Sequence, residues 1–294
     1  MPLLVPKPGW PFSINYDSPQ AEGLLSWWPG EPVGSKLFDL TQNKMHARFF
    51  GTQVAGKGLW SPGQDNGRNA LKFISASSTY ADTGSAVWAD NLPVMSVSCW
   101  VRTVENVWCT WFGKISDVLN SAGWNIGQYF SGPGLTIQDN GGNNGIFAFG
   151  NGPDLTFLDG RWHHVVGVLY GLTIGGEFYL DGVSVSAVGV TGTISSYSNA
   201  INLQLGRQNS AGGGSGGTAR VQYCNAQIED VRIYNRALSV DEVRAMYEPK
   251  TRWELRYVPK RRLFSAPIVA SSVHPWWQYA GPMMGSLSGG SINV

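Results

Sequence analysis

Residues 177–185 read Glu177-Phe-Tyr-Leu-Asp-Gly-Val-Ser-Val185, two short β-type runs on either side of an Asp-Gly pair. Both central residues of a type I′ turn must adopt positive φ, and Asp181-Gly182 is a pair that does so at little cost. The segment is therefore predicted to form a β-hairpin. Around it, short β-type runs separated by Gly, Asn, Asp and Pro clusters extend from Gly23 to about Tyr234, a pattern typical of a β-sandwich.

The segment Val94–Thr103 shows a clear strand pattern. Successive side chains of a strand point to opposite faces, so alternation of apolar and polar residues indicates one buried face. We expect the core face to carry Met95, Val97, Cys99 and Val101, and the other face to carry Ser96, Ser98, Trp100 and Arg102. The same period places Asp230 and Arg232 on one strand face, where they can form an ion pair.

Helix is scarce in the sequence, and one short helix is predicted after the last strand. Ser239 and Glu242 have the spacing of a capping box, and Leu238 and Val243 can form the hydrophobic staple across it. The helix is expected to end at about Tyr247.

Three segments follow one another in the chain: Asp159-Gly-Arg-Trp-His-His-Val-Val166, Phe178-Tyr-Leu-Asp-Gly182 and Ile228-Glu-Asp-Val-Arg-Ile-Tyr-Asn-Arg-Ala-Leu-Ser239. Together and in this order they resemble the laminin-G-like (concanavalin A-like) jelly-roll domains found in many bacterial and phage proteins. The resemblance covers about residues 22–248 and implies an all-β, two-sheet antiparallel jelly-roll sandwich with one short C-terminal helix. The run Tyr247-Glu-Pro-Lys-Thr-Arg-Trp-Glu-Leu255 is also similar to the tails of such domains in tailed-phage virion proteins.

The domain organisation is predicted from changes in composition. Residues 1–22 are rich in proline and read as an extended N-terminal arm, residues 23–248 as the sandwich domain, and residues 249–294 as an extended C-terminal arm, basic and aromatic and then apolar. Aromatic and arginine residues are typical interface anchors, so we expect the arms to contact partner subunits. The predicted assembly contacts are Trp10, Phe12, Tyr16, Arg252, Trp253, Leu255, Tyr257, Arg261, Arg262 and Phe264.

The composition disfavours several partners. Charged residues make up 14% of the chain, against about 25% in ordinary globular proteins, and the net charge is +1. Steering toward nucleic acid or an anionic membrane needs a strong excess of positive charge, so neither partner is expected. No apolar run reaches the roughly 18 residues of a membrane span, and the N-terminal run contains no secretory signal. The three cysteines are odd in number, so at least one thiol is expected to stay free, as suits the reducing cytosol.

No catalytic residue is predicted, and the chain is expected not to be an enzyme. Glycoside hydrolysis needs two carboxylates about 5–9.5 Å apart. Laminarinase-like relatives of the sandwich place them in a Glu-x-Asp-x-x-Glu strand, which this sequence lacks, and the adjacent Glu229 and Asp230 would point to opposite faces. A Gly-x-Ser-x-Gly nucleophile motif is also missing from the sequence.

Two ligand sites are candidates. Aromatic rings beside amide groups suit sugar binding, although the same rings also suit core packing or subunit contact; these residues are Trp108, Trp111, Trp124, Asn125, Tyr129, Asn143 and Asn144. The resemblance further implies a structural Ca²⁺ at the sandwich rim, held by oxygen ligands, for which Asp39, Asn43 and Asp82 are the candidates. The loop around Asn43 lacks the acidic, glycine-rich character of the corresponding family turn.

Two functions remain open. The first is a phage virion component, a capsid decoration or tail protein assembled in the host cytoplasm, which self-associates and contacts other virion proteins. This hypothesis accounts for four features at once: the low charge, the free thiol, the missing secretory signal and the two arms. The second is a glycan-binding adhesion module, or lectin, that recognises cell-surface glycans. Fold alone does not decide between them.

Overall fold

The computed structural model describes residues 11–30, 32–33, 36–52, 60–61, 63, 70–115, 122–129, 132–139, 145–149, 155–208 and 222–258. The helix α1 spans Val240–Tyr247, and the strands are β1 (Ser13–Ile14), β2 (Leu24–Trp28), β3 (Pro32–Val33), β4 (Lys36–Leu37), β5 (Ala47–Phe50), β6 (Trp60–Ser61), β7 (Ala70–Phe73), β8 (Tyr80–Asp82), β9 (Met95–Arg102), β10 (Cys109–Ile115), β11 (Gly123–Tyr129), β12 (Gly132–Gln138), β13 (Gly145–Phe149), β14 (His163–Gly171), β15 (Gly175–Leu180), β16 (Val183–Val188), β17 (Gln204–Leu205), β18 (Arg207–Gln208), β19 (Gln222–Tyr223), β20 (Ala226–Tyr234) and β21 (Arg256–Tyr257). Within these segments, no helix has the length and hydropathy needed to cross a membrane.

Two antiparallel sheets pack face to face. The nine-stranded sheet has the order β13-β12-β11-β10-β17-β8-β5-β4-β3. The eight-stranded sheet has the order β16-β15-β14-β9-β20-β7-β6, and β2 also pairs with β20. The predicted all-β, two-sheet antiparallel sandwich with one short helix is confirmed for the part of the chain that the structure describes.

The hydrophobic core lies between the sheets. The predicted core face of β9, from Met95 to Val101, is fully buried together with Trp28 of the same sheet and with Phe112 and other large residues of the opposite sheet. The other face of β9 is also buried up to Trp100, because that ring stacks on Tyr247 of α1 at 5.8 Å between centroids. A layer formed by α1 and the segment after it therefore covers this part of the eight-stranded sheet.

The local signals that the sequence carries are confirmed. Asp181 and Gly182 have φ values of 52° and 78°, as the tight hairpin requires. Ser239 Oγ accepts from Glu242 N at 3.3 Å, and the Glu242 carboxylate accepts from Ser239 N at 2.8 Å, which completes the capping box. All three cysteines are buried free thiols, in agreement with the expectation of at least one.

The described parts of the two predicted arms, residues 11–22 and 249–258, pack on the sandwich rather than extending from it. Strands β1 and β21 pair with each other antiparallel. Phe12 and Leu255 lie with Trp27 in a separate buried apolar cluster. The compact unit consequently runs to Val258, whereas the sequence placed the boundaries after residues 22 and 248.

A buried ionic cluster explains why these segments pack on the eight-stranded sheet. Asp230 accepts from Arg232 Nη2 at 2.6 Å, as the strand pattern predicted, and its other oxygen lies 3.7 Å from Arg256 Nη2 of β21. Gln20 joins both segments, because its side chain accepts from Arg232 Nη1 at 2.7 Å and donates to Thr251 O at 2.8 Å. Buried polar groups require hydrogen-bond or ionic partners, and here each flanking segment supplies such partners to the cluster.

Candidate functional site

The outer face of the nine-stranded sheet carries a row of polar side chains, hereafter the polar row. Pairing places Arg48 of β5 opposite Asp82 of β8, Asp82 opposite Gln204 of β17, Gln204 opposite Gly113 of β10, and Gly113 opposite Asn125 of β11. Paired residues share a sheet face, and the residue preceding each of these in the chain belongs to the buried core. The polar row therefore faces away from the core.

Hydrogen bonds and close packing fix the polar row. The Asp82 carboxylate accepts from Gln204 Nε2 at 2.7 Å, from Asn202 Nδ2 at 3.1 Å and from Gly84 N at 2.7 Å. A Cβ atom at Gly113 would lie 2.4 Å from Cβ of Asn125, so only glycine allows Asn125 to pack over β10. The carboxylate and amide groups are consequently held in one arrangement across the strands.

A line of aromatic residues, hereafter the aromatic line, runs beside the polar row on the same face. Phe50 stacks on Tyr80 with 4.9 Å between centroids and 15° between planes, and Arg207 Cζ lies 4.0 Å from the centre of the Tyr80 ring. At the other end, Trp108 lies 5.8 Å from Tyr129. Phe50 is 40% exposed and Trp108 is 42% exposed, so both ends of the aromatic line offer ring surface to a ligand.

An inner layer of hydrogen bonds supports the Trp108 end. Tyr129 Oη donates to Asn125 Oδ1 at 2.6 Å, and Asn125 Nδ2 donates to Thr110 Oγ1 at 2.7 Å. Burial raises the pKa of Tyr129, so its hydroxyl stays protonated and remains a donor. Because Asn125 is 2% exposed, its role is to position Tyr129, against which the Trp108 ring lies.

The structure brings together three of the predicted sugar-site residues and separates two others from them. Trp108, Asn125 and Tyr129 share the outer face, whereas Trp111 and Trp124 are fully buried in the core. Trp124 directly precedes Asn125 in β11 and so points to the opposite face, and a β-bulge in β10 turns Trp111 inward. Asn143 and Asn144 lie outside the described residues.

The predicted calcium ligands do not meet at one place. Asp39 is 2% exposed, and its carboxylate accepts two hydroxyl and three backbone N–H hydrogen bonds that organise its own loop. Asn43 donates to Leu25 O, and Asp82 belongs to the polar row. Among the residues that the structure describes, no group of three or more His, Cys, Asp or Glu side chains could hold a metal ion. These three residues therefore do not fit a Ca²⁺ site.

The predicted assembly contacts divide into two groups. Tyr16 and Tyr257 are 67% and 51% exposed. The buried contacts are Phe12, Arg252, Trp253 and Leu255, which pack within the chain because the flanking segments dock on the sheet. Trp10, Arg261, Arg262 and Phe264 lie outside the described residues.

Sequence reasoning missed the Phe50 end of the aromatic line. Alternation in β5 and β8 could have shown that Phe50 and Tyr80 point outward, because Phe49 and Ala81 are core residues. Their pairing with each other, and the position of Arg207 over Tyr80, depend on the register of strands that are distant in the sequence. The sequence carries no local signal for that register.

Comparison with protein families agrees with this architecture. Residues 75–244 match the model of the concanavalin A-like lectin/glucanases superfamily, a laminin G type domain. The match covers more than half of the chain, and the chain therefore belongs to this superfamily. No curated protein sequence matches the chain significantly.

Solved structures of toxin binding domains and of one arabinanase domain share this fold. The binding domain of Paraclostridial Mosquitocidal Protein 1 matches with a TM-score of 0.56 and 13% identity over 77% of this chain and 52% of that chain. The binding domain of botulinum neurotoxin serotype D/C matches with a TM-score of 0.52 and 16% identity over 77% of this chain and 52% of that chain. A third match is domain 4 of AbnA, an arabinanase from Geobacillus stearothermophilus, which was solved with arabinotriose. Its TM-score is 0.51 and its identity 16%, over 76% of this chain and 98% of that chain. This chain thus spans about half of the toxin domains, and at these identities the likeness concerns the fold alone.

Proposed function

We propose that this chain is a non-enzymatic binding protein that takes saccharide chains on the outer face of the nine-stranded sheet. The observation that carries the proposal is the presence of the aromatic line and the polar row side by side on one face. Exposed rings such as Phe50 and Trp108 pack on the apolar faces of sugar rings, while the exposed Arg48 guanidinium and the partly exposed Asp82 carboxylate hydrogen-bond sugar hydroxyls. AbnA domain 4, which shares the fold, was solved with an oligosaccharide.

The polar row supports binding over hydrolysis. A glycosidase needs two carboxylates flanking the scissile bond. Asp82 is the carboxylate of the polar row, and its oxygens already accept hydrogen bonds from Gln204, Asn202 and Gly84. The row offers no second carboxylate at hydrolytic distance within the described residues.

The test is glycan binding by variants of the aromatic line. Burying the exposed part of Trp108, about 100 Å² at about 25 cal/mol per Å², contributes about 2.5 kcal/mol. Trp108→Ala and Phe50→Ala should therefore weaken binding of a ligand found on a glycan array by about tenfold or more, measured by calorimetry. Ile174→Ala is the matched control, since Ile174 is an exposed apolar residue at the β14–β15 turn of the other sheet. Equal affinity of all three variants would contradict the proposal.

The wider setting that we propose is a phage virion, in which this domain is a capsid decoration or tail component. The pairing of β1 with β21 supports this setting, because it brings the points where residues 1–10 and 259–294 join the body next to each other. Two segments attached at one place can engage one neighbouring subunit together, and the exposed Tyr16 and Tyr257 offer that subunit further ring surface. Purified particles should then contain the protein in a symmetry-related copy number, and a free monomer in lysates that lack particles would contradict the virion setting.

A further inference from the structure

A pocket of about 380 Å³ opens on the outer face of the eight-stranded sheet, which is not the sheet that carries the aromatic line. Three neighbouring strands form its base. Gln227 of β20 pairs with Lys72 of β7 on one side and with Arg102 of β9 on the other. Phe73, Ala226 and Val101, which neighbour these residues along their strands, are core residues, so the three side chains point outward.

The two cationic side chains at the base of the pocket, Lys72 and Arg102, have N–H donors that are not used within the described part of the chain. The Lys72 ammonium makes no hydrogen bond or ion pair with another residue that the structure describes. Arg102 donates from Nε to Gly160 O at 2.6 Å, which uses one of the five N–H groups of its guanidinium. The neighbouring Glu105 carboxylate is bound instead by Asn225 Nδ2, at 2.8 and 2.7 Å. The base of the pocket therefore keeps a net positive charge.

Between the two cations lies an acceptor that lacks a donor. Gln227 Oε1 is buried and has no hydrogen-bond partner among the described residues. A buried acceptor without a donor is unfavourable, and because the Gln227 side chain lines the pocket, a turn of its amide lets a ligand O–H group reach the oxygen and relieve that cost. The base of the pocket thus matches two chemical groups at once, an anion for the cations and a hydroxyl for the amide oxygen.

We propose that this pocket binds an acidic sugar, a pyranose ring that carries both a carboxylate and hydroxyl groups. The guanidinium of Arg102 takes the planar carboxylate, because Arg presents parallel N–H donors to such a group, and Lys72 adds a second positive charge. Gln227 Oε1 accepts from a ring hydroxyl. Ile74 and Val104 in the pocket wall provide apolar surface for the ring. A volume of about 380 Å³ lies at the small end of ligand pockets, as a single sugar ring requires.

The test is calorimetric titration of the full chain with three probes at neutral pH. Glucuronic acid carries the carboxylate and the hydroxyls, glucose carries only the hydroxyls, and acetate carries only the carboxylate. Glucuronic acid should bind at least about tenfold more tightly than either of the other probes. Added salt should weaken its binding, because the cations are exposed to solvent screening.

Variants assign the binding to this pocket. Arg102→Gln should weaken glucuronic acid binding by about tenfold or more, and Gln227→Glu should do the same because it places a like charge beside the carboxylate. Arg244→Gln removes an equally charged, exposed residue on α1 and should leave the affinity unchanged. Melting curves establish that each variant is folded, and Gln227→Glu preserves the shape of the side chain if Arg102→Gln is unstable.

Two results would overturn the proposal. If acetate binds as tightly as glucuronic acid, the pocket takes any small anion and Gln227 recognises no hydroxyl. If Arg102→Gln and Gln227→Glu both retain the affinity, the ligand binds elsewhere. Trp108→Ala separates this site from the saccharide site of the other sheet, because it should leave glucuronic acid binding unchanged while it weakens the glycan of the aromatic line.

Discussion

Replacing Asp230 with asparagine tests the buried ionic cluster. Residue 230 has a φ of 56°, a conformation that Asn and Asp tolerate better than most residues, so Asp230→Asn removes the charge and keeps the backbone and the size of the side chain. Arg232, which is 1% exposed, then loses the carboxylate at 2.6 Å. Breaking a buried ion pair by removing one partner costs about 3–5 kcal/mol, and the free energy of unfolding should fall by that amount.

Urea unfolding measures this loss. With an m-value of about 2–3 kcal/mol per M, the midpoint should fall by about 1–2.5 M. The matched control is Asp241→Asn, since the Asp241 side chain is 94% exposed and lies 3.9 Å from Arg244, a surface pair that contributes little. If the midpoint of Asp230→Asn moves no further than that of the control, the cluster does not stabilise the fold and the reasoning is refuted.

The pH dependence of Asp230→Asn provides a second measurement. Burial acts to raise the pKa of Asp230, but Arg232 and Arg256 outweigh it and hold this pKa below its usual value. A carboxyl with a lowered folded pKa contributes stability above its unfolded pKa of about 3.9 and loses it as the pH falls through the folded pKa. The difference in unfolding free energy between wild type and variant should therefore be full above about pH 5 and shrink on acidification below about pH 4.

Three further outcomes are expected. The hydrogen bond with Asp181 raises the pKa of His163. Protonated His163 therefore stabilises the fold below its unfolded pKa of about 6.5, and this stabilisation is lost as the pH rises through the higher folded pKa. His163→Gln should make the melting temperature less dependent on pH between about pH 6 and 8. Burial raises the pKa of the Cys99 thiol, which should react with a disulfide reagent only after unfolding; rapid labelling of the native chain would contradict its burial. Truncation after Tyr247 removes β21 and should lower the melting temperature far more than truncation after Val258, as scanning calorimetry would show.

Elements encoded by neighbouring residues were predictable from the sequence. The Asp181-Gly182 turn needs two residues that accept positive φ, and the helix cap needs a Ser and a Glu three positions apart. Both are local requirements, so sequence spacing is enough to identify them. The core face of β9 was predictable for the same reason, since strand alternation is a property of one segment.

Features that depend on distant partners were not predictable. The flanking segments read as free arms, because nothing near Arg256 shows that Asp230 lies within reach of it. Trp111 reads as a surface residue, because the β-bulge that turns it inward appears only when β10 pairs with β11. Trp124 is different, since its position next to Asn125 already excluded a shared site. The candidate site was thus only partly accessible from the sequence.

The antiparallel pairing of β1 with β21 has a mechanical consequence. Ser13 lies opposite Tyr257, so the chain enters and leaves the body at the same end of this two-stranded sheet. Tension applied between residues 11 and 258 pulls the two strands apart sideways, and their few hydrogen bonds break one after another rather than together. The flanking segments should then peel away at low force. The strands of the two large sheets carry no load until the β1–β21 pair has separated.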